Sequence, residues 1–454
     1  MEQIKQNKMG IAPIPKLIVS MSLPAMFSML VQALYNIIDS MFVAQLGESA
    51  LTSVSLAFPV QTLMIAVAVG TGIGINSLVS RRLGERRREE ASRAATHGLL
   101  LAIFSSLVFA LLGLTLTQTF FQAFTDNQTV LQMGCDYTYV VTIFSFGMMI
   151  EIGLEKTLQA TGNMIYPMLF QLSGAVINII LDPIFIFGKF GVPALGVRGA
   201  AVATVIGQIA SMVFAVVVII VKKHEVHISF RNFKFKWRTV KEIYAVGFPS
   251  IIMQSIMAFL VTMLNTILIS FSEAAVSVLG VYYKLQSFVF MPVFGLTHGV
   301  LPIIGYNYGA GNKKRLLSAL RLGTLIAACI MTVGTVLFLA IPDKLLMIFN
   351  ASPQMLEIGV PALRIISICF IPAAVDILFS TFFQGVGMGF KSLIVSIMRQ
   401  LVVILPAAYL LSKIGLGYTW YAFPIAEVVS LVLGGIFFWT TYRSKIRNLR
   451  PISD

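Results

Sequence analysis

The sequence predicts an all-α integral membrane protein, a fold class indicated by its composition and by the lengths of its apolar runs. Of its 454 residues, 57% are hydrophobic and only 11% are charged. A soluble protein of this length could not cover its surface with so few charged residues. The apolar residues also gather in runs that reach the roughly 20 residues a helix needs to cross a bilayer. We therefore expect lipid, rather than water, to surround most of the chain.

Twelve apolar runs follow one another along the chain and predict twelve transmembrane helices. The first run follows a polar, basic start and has the length of a span, which argues against a cleavable signal peptide. The runs cover about residues 17–44, 50–79, 95–118, 131–154, 164–187, 199–221, 243–270, 274–304, 318–341, 358–384, 391–412 and 419–441.

Basic residues gather in alternate connectors between these runs, chiefly at 81–88, 222–241, 313–315 and 443–450. The positive-inside rule therefore predicts a multi-pass protein of the cytoplasmic (inner) membrane with both termini in the cytoplasm. The net charge of +14 then reflects topology and contact with lipid headgroups, and we expect no nucleic-acid partner.

The polar stretch at 222–241 divides the runs six and six, and the two halves align at an offset of 225 residues. The aligned pairs include Pro24 with Pro249, Glu48 with Glu273, Gly70 with Gly295, Gly74 with Gly299, Gln61 with Gln286, Gln159 with Gln384 and Gly162 with Gly387. This duplication predicts two parallel six-helix repeats, as in transporters built of parallel halves. The expected domains are an N-terminal lobe (1–222), a cytoplasmic linker (223–242) and a C-terminal lobe (243–454).

Carboxylates inside spans are costly, so each is a functional candidate. Asp39 in span 1 has Tyr35 one turn before it, and Asp182 in span 5 has Asn178 one turn before it. This spacing places each polar partner on the face of its carboxylate, and Thr204 in span 6 could add a hydroxyl. Such a pocket could bind Na⁺ through Asp39, Asn178 and Asp182, or carry a proton on a carboxyl group. The alternative is that these acids only bond helices together.

The C-terminal half holds a different set of ionisable residues, since the repeat offset places Leu264 and Ala407 at the positions of Asp39 and Asp182. Asp376 in span 10, Arg399 in span 11 and Glu427 in span 12 could form a buried ion pair or a second site for a cation or drug. Glu151 in span 4 is a further candidate for this second site. For Glu155 and Lys156, near the cytoplasmic end of span 4, we expect a structural role with the charges reaching the membrane surface.

Motifs for other chemistries are missing from the sequence. It has no Walker motif, no Ser/His/Asp arrangement and no His/Cys cluster with metal-ligand spacing, and its three cysteines have no paired spacing. The glycines at 70, 72 and 74 follow no strand, so close helix packing explains them better than a phosphate loop. We expect neither an enzyme nor a cofactor, and an ion gradient must supply the energy for any active transport.

Several segments resemble the multidrug and toxic compound extrusion (MATE) family of cation antiporters. They are Leu23-Pro24 with Phe248-Pro249, the span 1 run Tyr35 to Asp39, the glycine-rich end of span 2 through Gly84, residues 158–163 with their partner 383–387, and Leu-Asp-Pro-Ile-Phe at 181–185. The resemblance implies a V-shaped bundle. It also implies an ion-coupling site in the N-terminal lobe formed by Asp39, Tyr35, Asn178, Asp182 and Thr204.

These observations predict secondary-active efflux of small organic cations and drugs, by alternating access and in exchange for Na⁺ or H⁺. The alternative is a lipid-linked sugar flippase of the same superfamily, which would need cations in its cavity to face an anionic pyrophosphate. The coupling ion, its stoichiometry and the physiological substrate stay open at this stage. One chain contains both halves, so we expect a functional monomer in the bilayer.

Overall fold

The computed structural model describes residues 7–231 and 233–451, so residue 232 of the predicted linker and the extreme terminal residues lie outside the described chain. Every regular element within it is helical. The elements are α1 (Lys8–Ile11), α2 (Ile14–Ala44), α3 (Glu48–Gly84), α4 (Arg88–Phe124), α5 (Gln128–Ile143), α6 (Phe146–Ala160), α7 (Ile165–Phe187), α8 (Val197–Val221), α9 (Trp237–Ile269), α10 (Glu273–Gly309), α11 (Lys313–Ala340), α12 (Pro342–Met347), α13 (Pro353–Ser367), α14 (Phe370–Gly385), α15 (Gly389–Ile397), a π-helical turn π1 (Met398–Ile404), α16 (Leu405–Ser412), α17 (Leu416–Thr419), α18 (Ala422–Thr441) and π2 (Tyr442–Ile446).

The predicted twelve spans correspond to ten helical spans and two broken ones. Ten helices of the described chain are long and apolar enough to cross a membrane, and the count reaches twelve if each bent pair is one span. The pairs are α5 with α6, bent by 43°, and α13 with α14, bent by 49°. Each bent pair is the fourth span of its repeat, so both repeats share this bend. The all-helical membrane fold is confirmed, and the structure adds a bend within the spans predicted at 131–154 and 358–384.

The described chain separates into two compact units. The N-unit comprises residues 27–251, and the C-unit comprises the described residues up to Met26 and from Ile252 onward. Helices α2 and α9 therefore each begin in one unit and end in the other. The lobes at 1–222 and 243–454 stay a prediction from the linear repeat, which does not indicate which unit each half of a helix packs into.

Paired glycines explain where the first halves of α2 and α9 pack. In the N-unit, a Cβ at Gly70 would lie 2.7 Å from the backbone nitrogen of Ile251, and one at Gly74 would collide with the carbonyl of Ile243. In the C-unit, Cβ atoms at the repeat partners Gly295 and Gly299 would lie 2.5 Å from the Cα of Met26 and 2.8 Å from the nitrogen of Ser22. Small residues let two helix backbones approach closely, so the packing role predicted for Gly70 and Gly74 is confirmed.

A second close approach positions the polar residues of the N-unit. Gly174 on α7 and Gly207 on α8 face each other, since a Cβ at Gly207 would lie 2.7 Å from the carbonyl oxygen of Gly174. Asn178 is one turn beyond Gly174. A Cβ at Gly207 would lie 3.3 Å from the Cβ of Asn178. The glycine contact therefore brings the polar face of α7 against α8.

Candidate functional site

The predicted polar residues of α7 and α8 form a buried cluster in the N-unit. The amide nitrogen of Asn178 donates to Asp182 Oδ1 at 3.3 Å and to Thr204 Oγ1 at 3.2 Å. The exposed fractions of these three side chains are 2%, 0% and 7% for Asn178, Asp182 and Thr204. The i, i+4 spacing on α7 places Asn178 beside Asp182 on one helix face, and one amide group links both helices.

Helix α2 completes this cluster. The side chain of Asp39 is within hydrogen-bonding reach of the Asp182 carboxyl group, and the Tyr35 hydroxyl is within reach of Thr204. All five residues predicted for the N-terminal site thus meet, although α2 lies more than a hundred residues before α7 and α8 in the sequence. We call this group the N-cluster.

Two further residues lie beside the N-cluster and were not predicted. Tyr137 on α5 is 3% exposed and lies close enough to Asp39 and Tyr35 for electrostatic interaction. Gln61 on α3 donates its amide to the Tyr137 hydroxyl at 2.6 Å. For Gln61, the alignment with Gln286 was a weak signal in the sequence. Nothing distinguishes Tyr137 in a sequence with 13 tyrosines.

The N-cluster has more acceptors than donors. Asp39 Oδ1, Asp182 Oδ2 and Asn178 Oδ1 are buried without a hydrogen-bond donor. No described lysine, arginine or histidine lies within 4.0 Å of either carboxylate. Two adjacent carboxylates in a medium of low dielectric constant cannot both remain charged without compensation. The arrangement therefore suits a shared proton or a hard cation, which prefers carboxylate, amide and hydroxyl oxygens.

In the C-unit, three residues of the predicted second set meet. Arg399, on π1, places Nη1 3.3 Å from Glu427 Oε2 and 4.0 Å from Asp376 Oδ2. Ser430 on α18 donates to Asp376 Oδ2 at 2.5 Å. One guanidinium group faces two carboxylates, which leaves an excess negative charge, and Asp376 Oδ1 and Glu427 Oε1 are buried without a donor. The predicted ion pair is present, but it includes both acids.

Glu151 does not join this set, because it lies on α6 in the N-unit. Its electrostatic neighbours are Glu155 and Lys156. These two were expected to reach the membrane surface, and that expectation is wrong: they are 1% and 3% exposed and form an ion pair at 3.1 Å. The stem of Lys156 fits because α3 has a glycine there, where a Cβ at Gly72 would lie 2.6 Å from Lys156 Cγ.

Two glutamine side chains form further hydrogen bonds with the Glu155 carboxylate and the Lys156 ammonium group. Gln159 Nε2 donates to Glu155 Oε1 at 2.6 Å, and Gln171 Nε2 donates to Glu155 Oε2 at 2.8 Å. Lys156 in turn donates to Gln159 Oε1 at 3.1 Å. This pair is internally neutralised, which the Asp39 and Asp182 pair is not.

Comparison with known proteins places these sites in a family context. The model of the MatE family matches residues 24–184 and 249–410, one match in each half of the chain. The segments of the N-cluster on α2 and α7 lie inside the first match.

Similarity to individual proteins extends over nearly the whole chain. It is 28% identical over 427 residues to a probable multidrug resistance protein NorM of Thermotoga maritima, covering 93% of this chain and 91% of that protein. It is 25% identical over 419 residues to an FAD transporter of Shewanella oneidensis, covering 92% and 93%. A solved structure of a multidrug resistance MATE family transporter in its outward-facing conformation has a TM-score of 0.91 at 28% identity, covering 99% of both chains.

Proposed function

Because the chain belongs to the MATE family of membrane transporters, we propose that it exports cationic, amphipathic small molecules in exchange for Na⁺ or H⁺. The observation that carries the proposal is the approach of the half-buried Asp39 carboxyl group to the buried Asp182 carboxyl group, in a cluster with more hydrogen-bond acceptors than donors. The names of the Thermotoga relative and of the solved MATE structure support multidrug efflux.

Charge balance favours a cationic substrate. In the described part of the N-unit, no basic side chain pairs with Asp39 or Asp182. In the C-unit, Arg399 is shared between Asp376 and Glu427. Buried carboxylates attract a cation and repel an anion. This argues against a lipid-linked sugar flippase, whose pyrophosphate would meet excess negative charge. It argues equally against an anionic flavin nucleotide, although one relative is an FAD transporter.

Ion coupling follows from competition for the same negative charge. When a proton or Na⁺ enters the N-cluster, the charge of the cluster falls and a bound organic cation loses part of its attraction. Entry of the ion thus favours substrate release, and loss of the ion restores affinity; this is the differential affinity that alternating access requires. Asp39, Asn178 and Asp182 supply the oxygen atoms that would hold Na⁺.

Orientation and assembly belong to the same proposal. The connectors at 81–88 and 313–315 are rich in arginine and lysine, which supports a cytoplasmic location for that end of the helices. We place the protein in the cytoplasmic membrane with both termini in the cytoplasm. Both repeats are present in one chain, which supports function as a monomer.

The proposal is tested by efflux of a fluorescent organic cation from proteoliposomes, with a Na⁺ gradient and a pH gradient imposed separately. We expect one gradient to drive transport by the unaltered protein. Asp39→Asn and Asp182→Asn should abolish that dependence, since an amide neither releases a proton nor carries the charge that binds Na⁺.

Asp343→Asn is the matched control, because Asp343 is an exposed carboxylate on α12 and the substitution is chemically identical. It should retain the activity of the unaltered protein. Correctly inserted Asp39→Asn protein with undiminished gradient-driven efflux would exclude the N-cluster as the coupling site. Absence of transport of any cation under either gradient would reopen the flippase alternative.

A further inference from the structure

A basic cleft lies at one end of the C-unit, where α10 ends and α11 begins. It has a volume of about 510 Å³ and is lined by Lys313, Lys314, Ser318 and Arg321 on one side and by Leu449 and Pro451 on the other. Lys314 and Arg321 are exposed. The C-terminal segment is held at the cleft by Lys313, which donates to the carbonyl of Arg447 at 3.3 Å.

The positive charge of this cleft is not compensated within the described chain. No described carboxylate lies within 4.0 Å of Lys313, Lys314 or Arg321. The described part of the C-unit has five acidic residues, and none of them is near the cleft: Glu273, Asp343, Glu357, Asp376 and Glu427.

The topology explains why these acids are remote. Glu273 begins α10, and the cleft lies at the other end of that 37-residue helix, roughly 54 Å away at 1.5 Å per residue. Asp343 and Glu357 follow the far end of α11. Asp376 and Glu427 are engaged with Arg399.

The corresponding end of the N-unit is built differently. Arg82 pairs with Glu85 at 2.7 Å and with Glu242 at 2.6 Å. At the repeat offset, Lys313 aligns with Arg88, which lies 3.8 Å from Glu225, and Lys314 aligns with Glu89. Both halves need basic connectors. That shared requirement does not explain why the described basic residues pair with acids in the N-unit and have no described acidic partner at the C-unit cleft.

We propose that this cleft binds the phosphate group of an anionic phospholipid. Lys313, Lys314 and Arg321 would contact the phosphate oxygens, and Ser318 would donate a hydroxyl hydrogen bond. A lipid fits better than free phosphate because α11 continues from the cleft into an apolar span with a mean hydropathy of 2.2. The acyl chains can therefore follow the helix while the headgroup stays in the cleft.

The test measures binding of phosphatidylglycerol to the purified full chain in detergent, by native mass spectrometry and by the shift in Tm. Phosphatidylcholine and inorganic pyrophosphate are the comparison ligands. We expect phosphatidylglycerol to raise Tm more than phosphatidylcholine. The double variant K314E/R321E should weaken its binding by about tenfold or more, because two attractive charges become repulsive.

K344E/K413E is the matched control, since it makes the same charge change at two exposed lysines outside the cleft and should bind like the unaltered protein. If K314E/R321E folds poorly, K314Q/R321Q removes the charges without adding acids and should still weaken binding. Equal affinity of K314Q/R321Q and the unaltered protein would overturn the proposal. If pyrophosphate displaced phosphatidylglycerol at a pyrophosphate concentration below that of the lipid, the assignment to a lipid would be overturned.

Discussion

At the scale of single residues, the N-unit contains two kinds of buried acid. Glu155 is neutralised by Lys156 at 3.1 Å and accepts hydrogen bonds from two glutamines. Asp39 and Asp182 instead face each other, with Asn178 and Thr204 as neutral neighbours. A compensated ion pair has little reason to exchange its charge, whereas an uncompensated carboxyl pair must take up a proton or a cation. We therefore expect the first pair to contribute to structure and the second to transport.

A double-mutant cycle on the ion pair tests its structural role. Lys156→Met leaves Glu155 buried without its cation and should lower the free energy of unfolding by about 3–5 kcal/mol. Glu155→Gln combined with Lys156→Met removes both charges and should recover most of that loss. Thermal unfolding in detergent compares Lys156→Met, Glu155→Gln and the double variant. Simple addition of the two single effects would show that the pair is not coupled.

Asn178 provides the matching test within the N-cluster. Asn178→Leu keeps the side-chain size but removes the amide that links Asp182 to Thr204. We expect gradient-driven efflux to fall by at least about tenfold and the free energy of unfolding to fall by about 1–3 kcal/mol, because buried acceptors lose their donor. Asn36→Leu is the control, since Asn36 on α2 is exposed. Equal efflux in the two variants would contradict the role of the amide.

At the scale of elements, glycines determine which helices lie close together. Gly70 and Gly74 admit the first half of α9 into the N-unit, and Gly295 and Gly299 do the same for α2 in the C-unit. Gly174 and Gly207 bring α7 against α8. In lipid, helices associate through close packing rather than through the hydrophobic effect. The loss of one such contact therefore removes a main source of stability.

The packing role predicts an asymmetric effect of adding a methyl group. Gly74→Ala should reduce folded yield and Tm, since its Cβ would collide with the backbone carbonyl of Ile243, which cannot rotate away. Gly280→Ala on α10 should be tolerated, because no atom lies within 4 Å of its Cβ position. Size-exclusion chromatography and thermal unfolding compare them. Equal tolerance at both positions would refute the close approach of α3 and α9.

At the scale of the whole molecule, duplication produced two units with one fold plan and different chemistry. Both copies keep the packing glycines and the bent fourth span. The acidic residues differ: Asp39 and Asp182 align with Leu264 and Ala407, while the C-unit has its own set around Arg399. The N-cluster and the set around Arg399 each have more acidic than basic groups, and this excess is the basis of the proposed preference for cations.

A matched pair of ligands tests this preference. Tetraphenylphosphonium and tetraphenylborate have nearly the same size and apolar surface but opposite charge. We expect tetraphenylphosphonium to bind the purified protein at least about tenfold more tightly than tetraphenylborate. The reason is that uncompensated carboxylates in a medium of low dielectric constant attract a cation and repel an anion. Isothermal titration calorimetry measures both. Tighter binding of the anion would contradict the proposed substrate class.

The amino-acid sequence was enough to predict the membrane fold, the two repeats and the five residues of the N-cluster. These are readable because apolar length, basic connectors and a carboxylate in an apolar run are each defined along the chain. The pairs at i, i+4 identified Tyr35 with Asp39 and Asn178 with Asp182, since helical periodicity is also local.

Contacts between helices became visible in the three-dimensional structure. It added Gln61 and Tyr137 to the site, separated Glu151 from Arg399, and buried Lys156 instead of leaving it at the membrane surface. It also assigned the two halves of α2 and of α9 to different units. Each outcome depends on whether a helix distant in the sequence has a glycine or a larger side chain at the contact. It also depends on how that helix is rotated about its axis and how closely it approaches, and a local sequence pattern does not contain this information.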